Sequence, residues 1–173
     1  MKFKFGLLMV CLILSYGLSG NASAQTPVPP DFGAKGALQD SSITLEEALV
    51  YAIQDEYLAQ ARYDAIIGKF GNVRTFTNIK AAEQRHISAL VNLFQKYNIK
   101  IPDNNASQYV TAPETLKDAY KQGVDGEIEN IAMYDKLKGI PSLPEDVKAV
   151  FTQLGNASKN HLEAFRRGLG RGH

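Results

Sequence analysis

The feature that most constrains this chain is a repeat. Four long stretches return an apolar residue at alternating steps of three and four, the spacing that lines one stripe of a helix facing a bundle interior. The first stripe reads Leu45, Leu49, Ala52, Glu56, Ala59, Tyr63, Ile66, and the second reads Phe76, Ile79, Glu83, His86, Leu90, Leu93, Tyr97. The third reads Leu116, Tyr120, Gly123, Glu127, Asn130, Tyr134, Leu137, and the fourth reads Val147, Phe151, Leu154, Ser158, His161, Phe165. Nothing alternates with the period of a strand. The expected fold class is therefore all-α, a four-helix bundle with antiparallel neighbours.

Start and stop signals bound the four helices. Thr44 with Glu47 forms a capping box before the first, which runs to Lys69 ahead of Gly71; the second spans about residues 74–97 and stops before Ile101-Pro102. Thr111 with Pro113 and Glu114 is expected to open the third helix, which ends near Lys138-Gly139. Ser142 with Pro144 and Glu145 is expected to open the fourth, which ends near Arg167 with Gly168 behind it. The bundle domain is thus expected over residues 42–168, with 169–173 as a tail. Residues 98–110 form the longest connection, long enough to carry the crossing of a ferritin-like topology, although sequence leaves the crossing open. Residues 25–41, with Pro27, Pro29, Pro30, Gly33 and Gly36, show no periodicity and are expected to be a flexible linker.

The N-terminus reads as an address. Lys2 and Lys4 precede an apolar run from Gly6 to Leu18, and Ala22-Ser23-Ala24 offers the small-x-small pattern of a signal-peptidase site. Residues 1–24 are therefore expected to be a signal peptide, and the protein to be exported, periplasmic or extracellular, without a membrane anchor once the segment is removed. Cys11, the sole cysteine, lies within that segment, so the remainder offers neither disulfide nor thiolate ligand. Formal net charge is +1, and without Lys2 and Lys4 it becomes −1, with no basic stripe to neutralise phosphates; nucleic acid is not an expected partner.

Each apolar stripe is broken near its middle, and the breaks fall at similar depth: Glu56, Glu83 with His86, Glu127, and Ser158 with His161. A lone buried carboxylate costs several kcal/mol, roughly, unless neutralised, and three in one layer also repel one another. No lysine or arginine occupies any stripe. A metal cation supplies the missing charge, and carboxylates with imidazoles suit iron, manganese or zinc. Glu83 and His86, three residues apart, project from one helix face and reach one ion or two ions about 3.5–4 Å apart. Glu56, Glu83, His86, Glu127 and His161 are thus the expected metal ligands, although Asp55 and Glu129 stand beside Glu56 and Glu127 as alternative inward groups.

Four stretches in order carry a resemblance: Asp55-Glu56-Tyr57-Leu58-Ala59 through Tyr63, Ala82-Glu83-Gln84-Arg85-His86, Gly126-Glu127-Ile128-Glu129-Asn130-Ile131, and Ser158-Lys159-Asn160-His161-Leu162-Glu163-Ala164-Phe165. Over residues 42–168 the chain resembles the ferritin-like superfamily, and more narrowly a prokaryotic ferritin-like family classed as a domain of unknown function. The resemblance implies a Glu, Glu-x-x-His, Glu, Ser-x-x-His ligand pattern and two metal ions, most simply iron, with Glu83 as bridge. One ion would take Glu56 and His86, the other Glu127 and His161. Ser158 departs from the second Glu-x-x-His of ferritins, which puts the second ion in question.

Around that layer, Tyr63, Tyr120 and Tyr134 lie seven residues from Glu56 or Glu127; they pack the core or hydrogen-bond the ligands. Asn130, one turn from Glu127, is a candidate for orienting it, and Ser158 a small filler or water-binding group. Three functions fit. The first is a non-haem di-iron oxidoreductase acting as an oxidase, ferroxidase or peroxidase on Fe(II), O2 or H2O2. The second is a non-catalytic metal-binding or sequestering protein with one or two ions. The third is a bundle whose polar layer only sets helix register. The sequence assigns no catalytic residue and no oligomeric state.

Overall fold

The computed structural model describes residues 26–171, so the expected signal peptide and the last two residues lie outside it. The described residues are all-helical: α1 (Gly33–Gln39), α2 (Leu45–Phe70), α3 (Arg74–Lys96), α4 (Leu116–Lys138) and α5 (Glu145–Gly170), with a single 3-10 turn at Ala106–Tyr109. None of the helices is long and apolar enough to cross a membrane.

Helix α2 begins where its capping box expects, with Thr44 Oγ1 accepting from the Glu47 N–H and the Glu47 carboxylate accepting from the Thr44 N–H. The expected boxes at Thr111 and Ser142 do not form. Helix α4 starts later, with Thr115 Oγ1 accepting from the Asp118 N–H at 3.1 Å, and α5 starts behind Pro144 with no side-chain cap. The two departures share a cause: Ala112 and Leu143 each precede a proline, whose ring disfavours helical backbone in the residue before it. Leu143 is instead buried in the core.

The long helices pack around one interior, α2 against α3 and α4, and α5 against α3 and α4. Three polar contacts orient them. Lys69 at the end of α2 meets Glu114 at the approach to α4, Lys136 near the end of α4 donates to the Asp40 carbonyl ahead of α2, and Lys96 at the end of α3 pairs with Asp146 at the start of α5. Neighbours therefore run antiparallel. The segment after α3 must return the length of the helices to reach α4, and its 3-10 turn rests on α2 with Ala106 and Tyr109 buried.

Residues 25–41, expected as a linker, hold α1. Its Ala34 and Ala37 are buried with Phe32 beside them, the Phe32 ring lying edge-on to Tyr109 at 5.2 Å. The helix has seven residues and no side-chain cap, so tertiary packing on α2 and α4, rather than local propensity, holds it. At its far end α5 continues through Gly168 to Gly170, past the expected end at 168.

The core divides into two apolar clusters. One joins α1 with the first half of α2, the last turns of α3 and α4 and the start of α5, around Leu49, Ile53, Leu90, Phe94, Leu137 and Phe151. The other joins the opposite ends around Tyr63, Ile66, Phe76, Tyr120 and Phe165. Gly123 lets the Phe165 ring lie where a Cβ would come within 2.8 Å of it, which brings α4 and α5 close. Each large side chain buried this way contributes about 1.5–3 kcal/mol. Between the clusters lies a layer of buried polar groups.

Candidate metal centre

Among the described residues, eight polar or charged ones are buried: Asp55, Glu56, Glu83, His86, Glu127, Asn130, Ser158 and His161. They come from the middles of α2, α3, α4 and α5, where the stripes turn inward, and they separate into two sets.

The first set holds the glutamates and histidines. Glu56, Glu83 and His86 offer ligand atoms all within 4.8 Å of one another, as do Glu83, Glu127 and His161. Glu83 belongs to both groups and gives one oxygen to each: Oε2 lies 2.7 Å from His86 Nδ1, and Oε1 lies 3.1 Å from His161 Nδ1. The outer carboxylates complete a near-symmetric arrangement, with Glu56 Oε2 at 3.2 Å from His86 Nδ1 and Glu127 Oε1 at 3.5 Å from His161 Nδ1. The two imidazoles stack, ring centres 5.6 Å apart. A tyrosine braces each flank: Tyr134 donates to Glu56 Oε1 at 2.5 Å and Tyr63 donates to Glu127 Oε1 at 2.9 Å.

Electrostatics follow from burial and crowding. Burial, reinforced by the Glu83 charge, pushes the Glu56 carboxyl up to about 7, and burial also raises Glu127. Glu83 moves the other way, because His161 and His86 outweigh its burial and lower it. Burial alone would lower both histidines, but the carboxylates override it. Glu56 and Glu83 push His86 up to about 10, and Glu127 and Glu83 push His161 up to about 9. Both imidazoles are thereby shifted toward their protonated form. His161 Nδ1 nonetheless forms no hydrogen bond, the one such buried side-chain nitrogen or oxygen among the described residues. No lysine or arginine there pairs with any of the three glutamates.

The second set is Asp55, Asn130 and Ser158. Ser158 Oγ donates to Asn130 Oδ1 at 2.5 Å, Asn130 Nδ2 donates to Asp55 Oδ2 at 2.7 Å, and Asp55 Oδ1 accepts from the Ala34 N–H at 3.0 Å. Burial raises the Asp55 carboxyl against these donors. Asn130 is therefore turned to Asp55 rather than to Glu127, and Ser158 faces Asn130. Asp55 and Glu56 are both buried, whereas Glu129 is exposed. Two inward acids in succession break the helical period, and the first of them, Asp55, faces α1, an element the sequence pattern did not disclose. Tyr120, the third expected neighbour of the layer, instead approaches Thr75 at 3.4 Å.

The donor set suits a metal. Five buried side chains present carboxylate oxygens and imidazole nitrogens, hard to borderline ligands, in two groups that share one carboxylate. The unsatisfied His161 nitrogen faces two of those oxygens.

Known proteins are similar to this chain. The crystal structure of hypothetical protein MJ0754 from Methanococcus jannaschii superimposes with a TM-score of 0.66 at 30% identity, covering 76% of this chain and 84% of that one. In sequence, the uncharacterized protein MJ0754 of Methanocaldococcus jannaschii is 31% identical over 138 residues, 72% of this chain and 74% of that protein. Residues 46–172, which include nearly all of α2 and the whole of α3, α4 and α5, match the uncharacterized protein domain DUF2202, and the chain belongs to that family.

Proposed function

We propose that this chain is an exported metal-binding protein of ferritin-like type, which holds two transition-metal ions, iron before manganese or zinc, for redox chemistry with Fe(II), O2 or H2O2. The observation that carries the reading is the shared Glu83: two Glu/His groups meet at one buried carboxylate, with a histidine nitrogen left unsatisfied beside it. Antiparallel neighbours with a long return from α3 to α4 support the ferritin-like part. Export rests on the basic, apolar and small-residue pattern of residues 1–24.

Glu56 and His86 would hold one ion, Glu127 and His161 the other, with Glu83 between them. Bound iron would supply one-electron chemistry between its two oxidation states. The chain's own contribution is to exclude bulk water, to fix the outer carboxylates through the Tyr134 and Tyr63 hydroxyls, and to give up the protons of both histidines as metal enters. Anaerobic loading with Fe(II), followed by O2 or H2O2, tests the redox reading. Oxidation faster than that of free iron, lost in the Glu83→Ala, His86→Ala double variant, is expected; a rate equal to free iron's overturns it.

One observation favours a second reading, storage or sequestration without turnover. Ser158 stands where a further carboxylate would come from α5, and its hydroxyl is engaged with Asn130. A site short of one acid binds its second ion less tightly, and a metal count of one per chain would decide for this alternative.

A further inference from the structure

Two cavities lie along the seam between α2 and α4 and share two of their lining residues. The outer one, about 250 Å³, opens among Tyr109, Gln122, Asp125 and Glu129. The inner one, about 10 Å³, lies against Tyr63, Glu83, Glu127 and Asn130, beside the second Glu/His group. Arg62 and Gly126 line both. The glycine leaves room for the guanidinium where it lies, since a Cβ there would come within 2.9 Å of Arg62 Nη1 and move it aside.

We propose that this seam is the way into the metal layer for a small anion, and that Arg62 is the residue that binds the anion against the Glu83, Glu127 and His161 group. The inference rests on the metal reading above. An inner volume of this size takes about one water, so only the leading atom of a small anion enters it and the rest of the anion lies beside Arg62 in the outer cavity. The polar donors around it are already committed, Tyr63 to Glu127 and Asn130 to Asp55. That leaves the Arg62 guanidinium as the group free to meet a ligand. Its charge is felt by Asp55 and Tyr63, yet none of the ion pairs among the described residues includes it. With carboxylates on the remaining walls, a bare cavity repels anions, and an anion becomes stable only between a metal ion on one side and the guanidinium on the other.

Azide is the probe and Co(II) the reporter, because visible absorption of the bound cobalt changes with its ligands. The full exported chain is loaded with Co(II), its cobalt content measured, and azide titrated. The wild type should show a saturable spectral change. Arg62→Ala should weaken azide about tenfold or more, the size of a lost charge-assisted hydrogen bond. Gly126→Ala should weaken it as well by displacing the guanidinium, and Arg62→Lys should retain part of the affinity, with cobalt content unchanged in all three. Equal azide affinity in wild type and Arg62→Ala, or no response from protein that carries its cobalt, overturns the assignment. Failure to retain cobalt at all overturns the metal reading itself, and elemental analysis before the titration separates the two results.

Discussion

The two sets of buried polar groups lie side by side at the same depth, and they are satisfied in different ways. Asp55, Asn130 and Ser158 form a line in which each donor meets an acceptor and the last carboxylate oxygen is closed by the backbone of α1. The glutamates and histidines form a ring with more acceptors than donors, held by two imidazoles and two tyrosine hydroxyls, with one imidazole nitrogen making no hydrogen bond. A polar set that closes on itself serves structure: it fixes the register of α2, α4 and α5 and docks α1. A set that stays open at its centre, and keeps carboxylates close only through protons on histidine, is built to exchange those protons for a cation.

Changing pH should divide the two sets most strongly. Both histidines are raised above their ordinary value, so their contribution to stability without metal is full below about 6.5 and is lost as pH rises through about 9 and 10. Metal needs those nitrogens deprotonated, so its affinity should move the opposite way. Between pH 6.5 and 9 it should rise by up to about tenfold per pH unit for each proton displaced. Competition with a chelator across that range measures the slope, and a flat profile would show that the histidines are not displaced.

Asn130→Ala should act on the other set alone. Leaving the Asp55 carboxylate without its side-chain donor should cost about 1–3 kcal/mol in urea unfolding, with the metal count of the folded protein unchanged. Loss of metal in this variant would mean that the two sets are one unit. Tyr63→Phe and Tyr134→Phe should have the smallest effects, about 0.5–1.5 kcal/mol each in unfolding. Each should loosen the ion on its own flank more than the other, as read by stepwise metal titration.

The same contrast explains what the sequence disclosed. The inward positions of Glu56, Glu83, His86, Glu127 and His161 follow from the phase of Leu49, Phe76, Leu90, Tyr134 and Phe151, because a long helix with large apolar residues has one possible buried face. The closed set was not legible. Asn130 lies on the expected stripe, but its partner depends on α1, whose Gly33, Ala34, Gly36 and Ala37 carry no large side chain to mark a period and no cap to mark a start. The late starts of α4 and α5 are written in Pro113 and Pro144, because the restriction each places on the preceding residue overrides the capping pattern. The small residues at Gly123 and Gly126 could not be read as close approaches without knowing which side chain crosses them.

The most direct test of the central claim is the metal content of the purified chain, without an affinity tag, beside the Glu83→Ala, His86→Ala double variant, both shown to be helical by circular dichroism. About two iron or manganese ions per chain are expected in the wild type and none in the variant, since Glu83 serves both groups. A wild type that stays free of metal after anaerobic reconstitution, with a variant at least as stable, would contradict it and make the open set a matter of structure as well.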